Sequence, residues 1–165
     1  MENKTERNLL EAFAGESQAN RKYLAFAKQA EKDGYKQVAK LFRAAAEAET
    51  VHAHAHLRAL GTIGSTAENL QAAIDGETYE FMQMYPDMIK AAKEEQNTAA
   101  QRSFAYANAV ESIHATLYRK ALENMDGIEE TDYHVCSVCG YTCAHDAPGS
   151  CPVCGSAKTA FFKVD

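Results

Sequence analysis

The feature that most constrains this chain is a six-residue pattern that occurs twice, as Ala48-Glu49-Thr50-Val51-His52-Ala53 and as Val110-Glu111-Ser112-Ile113-His114-Ala115. Each copy sets a glutamate and a histidine three residues apart within a stretch of helical apolar spacing. Both side chains therefore point from adjacent turns toward one spot. Ionisable groups on the apolar face of a helix are costly to bury unless something binds them.

The surrounding periodicity divides most of the chain into four helices. Helix A runs from an N-cap pair, Asn3 with Glu6, along Leu9, Phe13, Tyr23, Ala27 and Ala30 to a stop at Asp33-Gly34. Helix B follows with Val38, Leu41, Phe42, Ala45, Ala59 and Leu60, and ends in the segment from Gly61 to Gly64. A capping box of Ser65 and Glu68 opens helix C, which carries Leu70, Ala73, Ile74, Phe81, Met84 and Met88. Pro86 falls inside it, where it should remove a backbone hydrogen bond and kink the helix. Thr98 with Gln101 caps helix D, whose face is Phe104, Ala107, Leu117, Tyr118 and Ala121, and Asp126-Gly127 ends it. Only 3 prolines and 9 glycines interrupt the chain, which favours long helices over a many-turned sheet. Helices of about 25 to 30 residues make a bundle roughly 40 Å long.

Every one of these helices has a carboxylate on its apolar face. Glu16 lies between Phe13 and Tyr23, and Glu77 and Glu80 stand beside Ile74, Phe81 and Met84. A single Glu-x-x-His is ordinarily a solvated helix edge, but six positions agreeing across four helices are not explained that way. Two Glu-x-x-His helices plus a glutamate from each of two others form the ligand set of ferritin-like diiron carboxylate bundles. Glu16 to Glu49 is 33 residues and Glu77 to Glu111 is 34, so the halves read as a duplication. That symmetry predicts Glu49 and Glu111 as bridging ligands, with Glu16 and His52 terminal on one metal and Glu77 and His114 on the other. Glu80 breaks it, because its counterpart, Ala19, cannot ligate. His56, one turn beyond His52, is either a partner of a ligand or simply packed or solvated. Tyr23 and Tyr85 either donate to ligand carboxylates or fill the core.

All 5 cysteines lie from Cys136 to Cys154, four of them in two C-x-x-C pairs: Cys136 with Cys139 and, after eleven residues, Cys151 with Cys154. This clustering reads as a metal site in a reducing compartment rather than as disulfides. Each pair is followed by glycine, which lets backbone amides turn toward the sulfurs. About 30 residues cannot bury a stable core unaided, so a metal should supply the folding energy. Four thiolates suit zinc or a single iron equally, but only iron passes electrons to a redox-active bundle. Cys143 is a spare thiol in a loop between the pairs. The expected architecture is an all-α four-helix bundle over residues 1–128 and a small metal-binding domain over 129–165.

The formal net charge is -6, and five of the acidic groups are the bundle carboxylates, so no acidic or basic partner follows from it. Neither a nucleic-acid partner nor a membrane is expected. The first residues, MENKTERNLL, lack an apolar signal core, and no run approaches a membrane span, which leads us to expect a soluble, cytoplasmic protein.

The stretches FAGESQANRKY in helix A and GETYEFMQMYP in helix C, both Glu-x-x-His motifs, and the terminal CSVCGY and CPVCG together closely resemble the rubrerythrin family over nearly the whole chain. The resemblance implies a ferritin-like diiron bundle with a C-terminal rubredoxin-like domain, holding two iron ions in the carboxylate site and one in the four-cysteine site. It implies a peroxidase that reduces hydrogen peroxide to water at the end of an NAD(P)H peroxidase chain, in oxidative stress defence. By the same resemblance, Glu80 exchanges with His52 as one iron changes oxidation state. No G-x-G-x-x-G is present, so electrons should come from an external donor such as a rubredoxin or an NAD(P)H-dependent reductase. Two other readings stand beside this one: a ferroxidase or iron-sequestering ferritin-like protein, and a zinc-stabilised interaction module on a structural bundle.

One departure from ferritin concerns topology. Running helices B and C parallel in one bundle requires a connection of roughly 35 Å, whereas the five residues from Gly61 to Ser65 reach only about 17 Å. We therefore expect a homodimer in which helices C and D pack against A and B of a second chain, with an up-down-up-down monomer as the competing topology.

Overall fold

The computed structural model describes residues 3–165. Two compact units result, one ending at Gly64 and the other spanning Ser65–Asp165. The first is a helical hairpin of α1 (Lys4–Lys32) and α2 (Lys36–Leu60). Asn3 caps α1 as expected, its side chain accepting from the Glu6 amide at 2.8 Å. The turn closes with the Tyr35 amide donating to the Ala30 carbonyl at 2.8 Å. Alanines let the helices approach closely, with Ala27, Ala30, Ala39, Ala46 and Ala53 all buried. Next to them Tyr23, Phe26 and Phe42 form a ring cluster with centroids 5.6 to 6.3 Å apart. Asn20 ties the helices together, donating from Nδ2 to the Ala46 carbonyl at 2.7 Å and to Thr50 Oγ1 at 2.9 Å.

The second unit begins with the Ser65–Glu68 capping box, present as expected, and α3 (Thr66–Tyr79). Helix C is not continuous. A π-turn over Glu80–Met84 separates α3 from α4 (Tyr85–Glu94), with the Tyr85 amide bonding the Glu80 carbonyl five residues back. Pro86 explains the position of the break: it has no N–H to continue the α-ladder, and one widened turn absorbs the lost bond. Helix D, α5, spans Thr98–Glu123, and its N-cap is Asn97 rather than Thr98. Asn97 Oδ1 accepts from the Ala100 amide at 3.0 Å, the role for which asparagine is the better cap. The helix stops at Glu123, before the expected Asp126-Gly127, which lies in a following 3₁₀ turn.

A three-stranded antiparallel sheet completes this unit: β1 (Tyr133–Cys136), β2 (Thr142–Ala144) and β3 (Phe161–Val164), in the order β2-β1-β3. In the segment that carries this sheet, after α5, the buried hydrophobic residues are Cys136, Ala147 and Cys151. Two of these three are candidate metal ligands, so sulfur takes the place of a core. No helix among the described residues is long and apolar enough to cross a membrane.

Replacing Asn20 removes the two bonds that it makes across the hairpin. Asn20→Ala should destabilise the metal-free chain by about 1–2 kcal/mol, read as a lower urea midpoint with an unchanged slope.

Candidate metal centres

The hairpin brings Glu16, Glu49 and His52 together, with ligand atoms all within 4.8 Å of one another. His52 Nδ1 lies 2.8 Å from Glu49 Oε2, and the imidazole side chain is 56% exposed. The second unit gathers Glu77, Glu111 and His114 in the same way. There His114 Nδ1 lies 2.8 Å from Glu111 Oε2 and 3.6 Å from Glu77 Oε1, and the side chain is 26% exposed. Each half of the duplication thus builds its own Glu–Glu–His set.

Glu80 stands at the first position of the π-turn, outside the tight triad. It is close enough to feel Glu77 and His114. Burial first, then the Glu77 carboxylate, raises its pKa above the usual carboxylate range, and His114 partly offsets this. Glu77 is raised for the same reasons, burial first and then Glu111, again opposed by His114. Carboxylates crowded in this way favour protons or cations, and a divalent ion satisfies all of them at once.

Two phenols border this set. Tyr85 and Tyr118 are both pushed up, chiefly by burial and then by the neighbouring carboxylates. Both therefore keep their protons and can donate to ligand oxygens. Tyr85 had this role as one of two sequence alternatives, whereas Tyr23 joins the ring cluster with Phe26 and Phe42. Tyr118 was read only as a core residue. Its position four residues after His114 and seven after Glu111 was the available signal. His56 is half-buried and enters neither triad.

The cysteines converge as their spacing predicts. Cys136, Cys139, Cys151 and Cys154 set their sulfurs within 4.8 Å of one another, with Cys136 to Cys154 at 3.7 Å and Cys139 to Cys151 at 3.5 Å. A tetrahedron with metal–sulfur bonds of about 2.3 Å has edges of about 3.8 Å, so the four thiols fit a single tetrahedral ion. Gly140 and Gly155 follow the pairs at φ of 84° and 76°, a conformation that glycine adopts without a Cβ penalty. Their amides close the two turns onto the Cys136 and Cys151 carbonyls at 2.8 and 2.9 Å. Hydrogen bonds from the Ser156 hydroxyl and amide pull Cys154 down to about 6, while burial pushes Cys139 up. Cys143 stands apart from the cluster, on β2 rather than in a loop, with Sγ 3.8 Å from the His134 carbonyl.

The family model for rubrerythrin matches residues 7–122, and that for the rubrerythrin rubredoxin-like domain matches residues 134–162. The chain belongs to the rubrerythrin family. It is 36% identical to rubrerythrin-2 of Clostridium acetobutylicum, over 93% of this chain and 92% of that one. Identity is also 36% to nigerythrin of Nitratidesulfovibrio vulgaris, over 93% of this chain and 83% of that one. Rubrerythrin of Porphyromonas gingivalis is 38% identical, over 96% and 88%. Two solved structures of nigerythrin, one partially reduced and one fully reduced with all iron ferrous, each superpose with a TM-score of 0.60 at 35% identity, covering 98% of this chain and 87% of theirs. As a rubrerythrin-family protein, the chain has the ferritin-like helical fold with a rubredoxin-like domain, and it carries a diiron site together with an iron-thiolate site.

Loss of one thiolate separates ligand from spare. Cys151→Ser should abolish the ferric-thiolate visible absorption and lower the iron content of the purified protein by one ion per chain; Cys143→Ser should leave both unchanged.

Proposed function

We propose that this chain is a non-haem diiron peroxidase that reduces hydrogen peroxide to water, acting in the cytoplasm in oxidative stress defence. The observation that carries the reading is the union, in one chain, of carboxylate–histidine sets on helices with a four-thiolate site suited to single-electron transfer. When bound, the iron pair supplies the two electrons that cleavage of the O–O bond consumes, and the thiolate-held iron replaces them one at a time. Glu16, Glu49 and His52 would hold one iron and Glu77, Glu111 and His114 the other, with Glu49 and Glu111 the residues that the duplication would place between them. Glu80, beside Glu77 and His114, is the seventh ligand that the duplication does not explain. Glu77 and Glu80 hold protons more readily than ordinary carboxylates, and reduction of peroxide to two waters takes up two protons. Tyr85 and Tyr118 orient ligand oxygens by donating hydrogen bonds. Cys136, Cys139, Cys151 and Cys154 would hold the iron that takes single electrons from an external donor such as a rubredoxin or an NAD(P)H-dependent reductase. The division at 128/129 falls between the two family-matched segments.

The protein acts as a homodimer in which the hairpin of one copy pairs with α3–α5 of the other. The connection from Leu60 to Thr66 is short, and apolar side chains are left uncovered: Leu41 is 67% exposed, Val51 63% and Met82 62%. A second copy offers matching helices with the complementary triad. Sedimentation should give twice the chain mass, and a monomer with both bundle irons bound would rule the exchange out.

Rapid mixing of the reduced protein with hydrogen peroxide tests the reaction. Two ferrous ions should be oxidised per peroxide with water as product. Fast oxidation by oxygen with mineral iron accumulating in a hollow shell would instead establish the sequestering alternative.

A further inference from the structure

The two Glu-x-x-His motifs are almost identical in sequence, yet their histidines are held differently. In both, Nδ1 faces the motif's own glutamate at 2.8 Å. The second nitrogen of His114 also has a partner: Nε2 lies 3.0 Å from the hydroxyl of Thr142, on β2 of the cysteine module. That hydroxyl donates its proton to the Gly140 carbonyl at 3.0 Å, one residue after Cys139. A hydroxyl has one proton to give. With it committed to Gly140, Thr142 offers Nε2 a lone pair, so Nε2 must carry the proton and Nδ1 is the nitrogen whose lone pair is left for a cation.

The register keeps Thr142 in place. It sits opposite Val135 in the β1–β2 ladder, and Gly140, at the foot of the turn, lies against Val110 of α5. A Cβ at Gly140 would already be 3.8 Å from Val110 Cγ1, so the module meets α5 one turn before His114. Among the described residues no side chain plays this part for His52, whose ring is mostly exposed.

We propose that Thr142 is a positioning residue: it fixes the ring of His114 with Nε2 protonated and Nδ1 directed at Glu77 and Glu111, and so makes the folded cysteine module a condition for a prepared metal position in α5. The inference rests on His114 being an iron ligand, as proposed above. It assigns to the module a structural role at the bundle site beyond electron delivery. Histidine ligands held by such an outer hydrogen bond commonly lose metal affinity when it is removed.

The test uses the full chain with zinc, which is diamagnetic, in all sites, and the variants Thr142→Val and Thr142→Ser. Nitrogen-15 correlation spectra should show a slowly exchanging Nε2 proton on His114 in the parent and in Thr142→Ser, and fast exchange or its loss in Thr142→Val. Cobalt titration of the bundle, with cadmium holding the four cysteines, should show about 10-fold weaker binding at one of two positions in Thr142→Val only. The cadmium-thiolate ultraviolet band reports that the module is folded in every variant. A protected Nε2 proton in Thr142→Val, or cobalt affinity unchanged within twofold, would overturn the proposal. Neither readout involves peroxide, so failure of the peroxidase reading would show separately in the rapid-mixing experiment.

Discussion

Carboxylates on the apolar faces of packed helices impose the condition that the rest of this molecule meets. Glu77, Glu80 and Glu111 share one neighbourhood with His114 as the nearby positive counterpart, and burial with mutual repulsion raises Glu77 and Glu80. The helices do little to offset this by apolar burial. Fully buried positions along them are alanines apart from Ile74 and Val110, and an alanine buries too little area to outweigh a desolvated charge. Small residues are what bring two helices close enough for side chains on both to reach one ion. The same choice that builds the site therefore weakens the core, and cations together with further helix surface must supply the difference.

The cysteine module follows the same logic at smaller scale. With Cys136, Ala147 and Cys151 as its buried hydrophobic residues, it has sulfur where larger domains have leucine. Aromatic contact is limited to pairs such as Tyr141 against Phe161, edge-on at 6.1 Å. Hydrogen bonds from Ser156 favour a thiolate at Cys154, while burial keeps Cys139 protonated until an ion arrives. A single ion then does for the module what the iron pair does for the helices.

Much of this was legible in the sequence because it is local. Capping by Asn3 and by Ser65 with Glu68, and the C-x-x-C-Gly turns, depend on residues within a few positions of one another. The triads were legible through periodicity, which places i and i+3 side chains together whatever the tertiary fold. Pro86 announced a break but not its form, since a kink and a π-turn both satisfy a missing N–H. The choice of Asn97 over Thr98 as cap was a one-residue ambiguity between two competent side chains. Thr142 was beyond reach: it is 28 residues from His114, and only the docking of the sheet on α5 brings them together.

Duplication accounts for the six symmetric candidate ligands, and the departures from symmetry next to them include several in the second half. α1 continues without interruption through Glu16 and Ala19, whereas the equivalent stretch of helix C opens into a π-turn at Glu80. The first half leaves His52 exposed and held by Glu49, whereas His114 has a hydroxyl on its far side. A symmetric site would give its two metals the same coordination and the same readiness to change it. Here one histidine is mostly exposed and the other lies 3.0 Å from Thr142 of the module that carries the thiolates. The asymmetry is therefore written by elements outside the repeated motifs: a proline six residues beyond Glu80, Glu80 itself, and a threonine on a strand appended after the bundle. Each alters one half of the set while leaving the ligands themselves in place, which is how a duplicated binding site can acquire two metal positions with different duties.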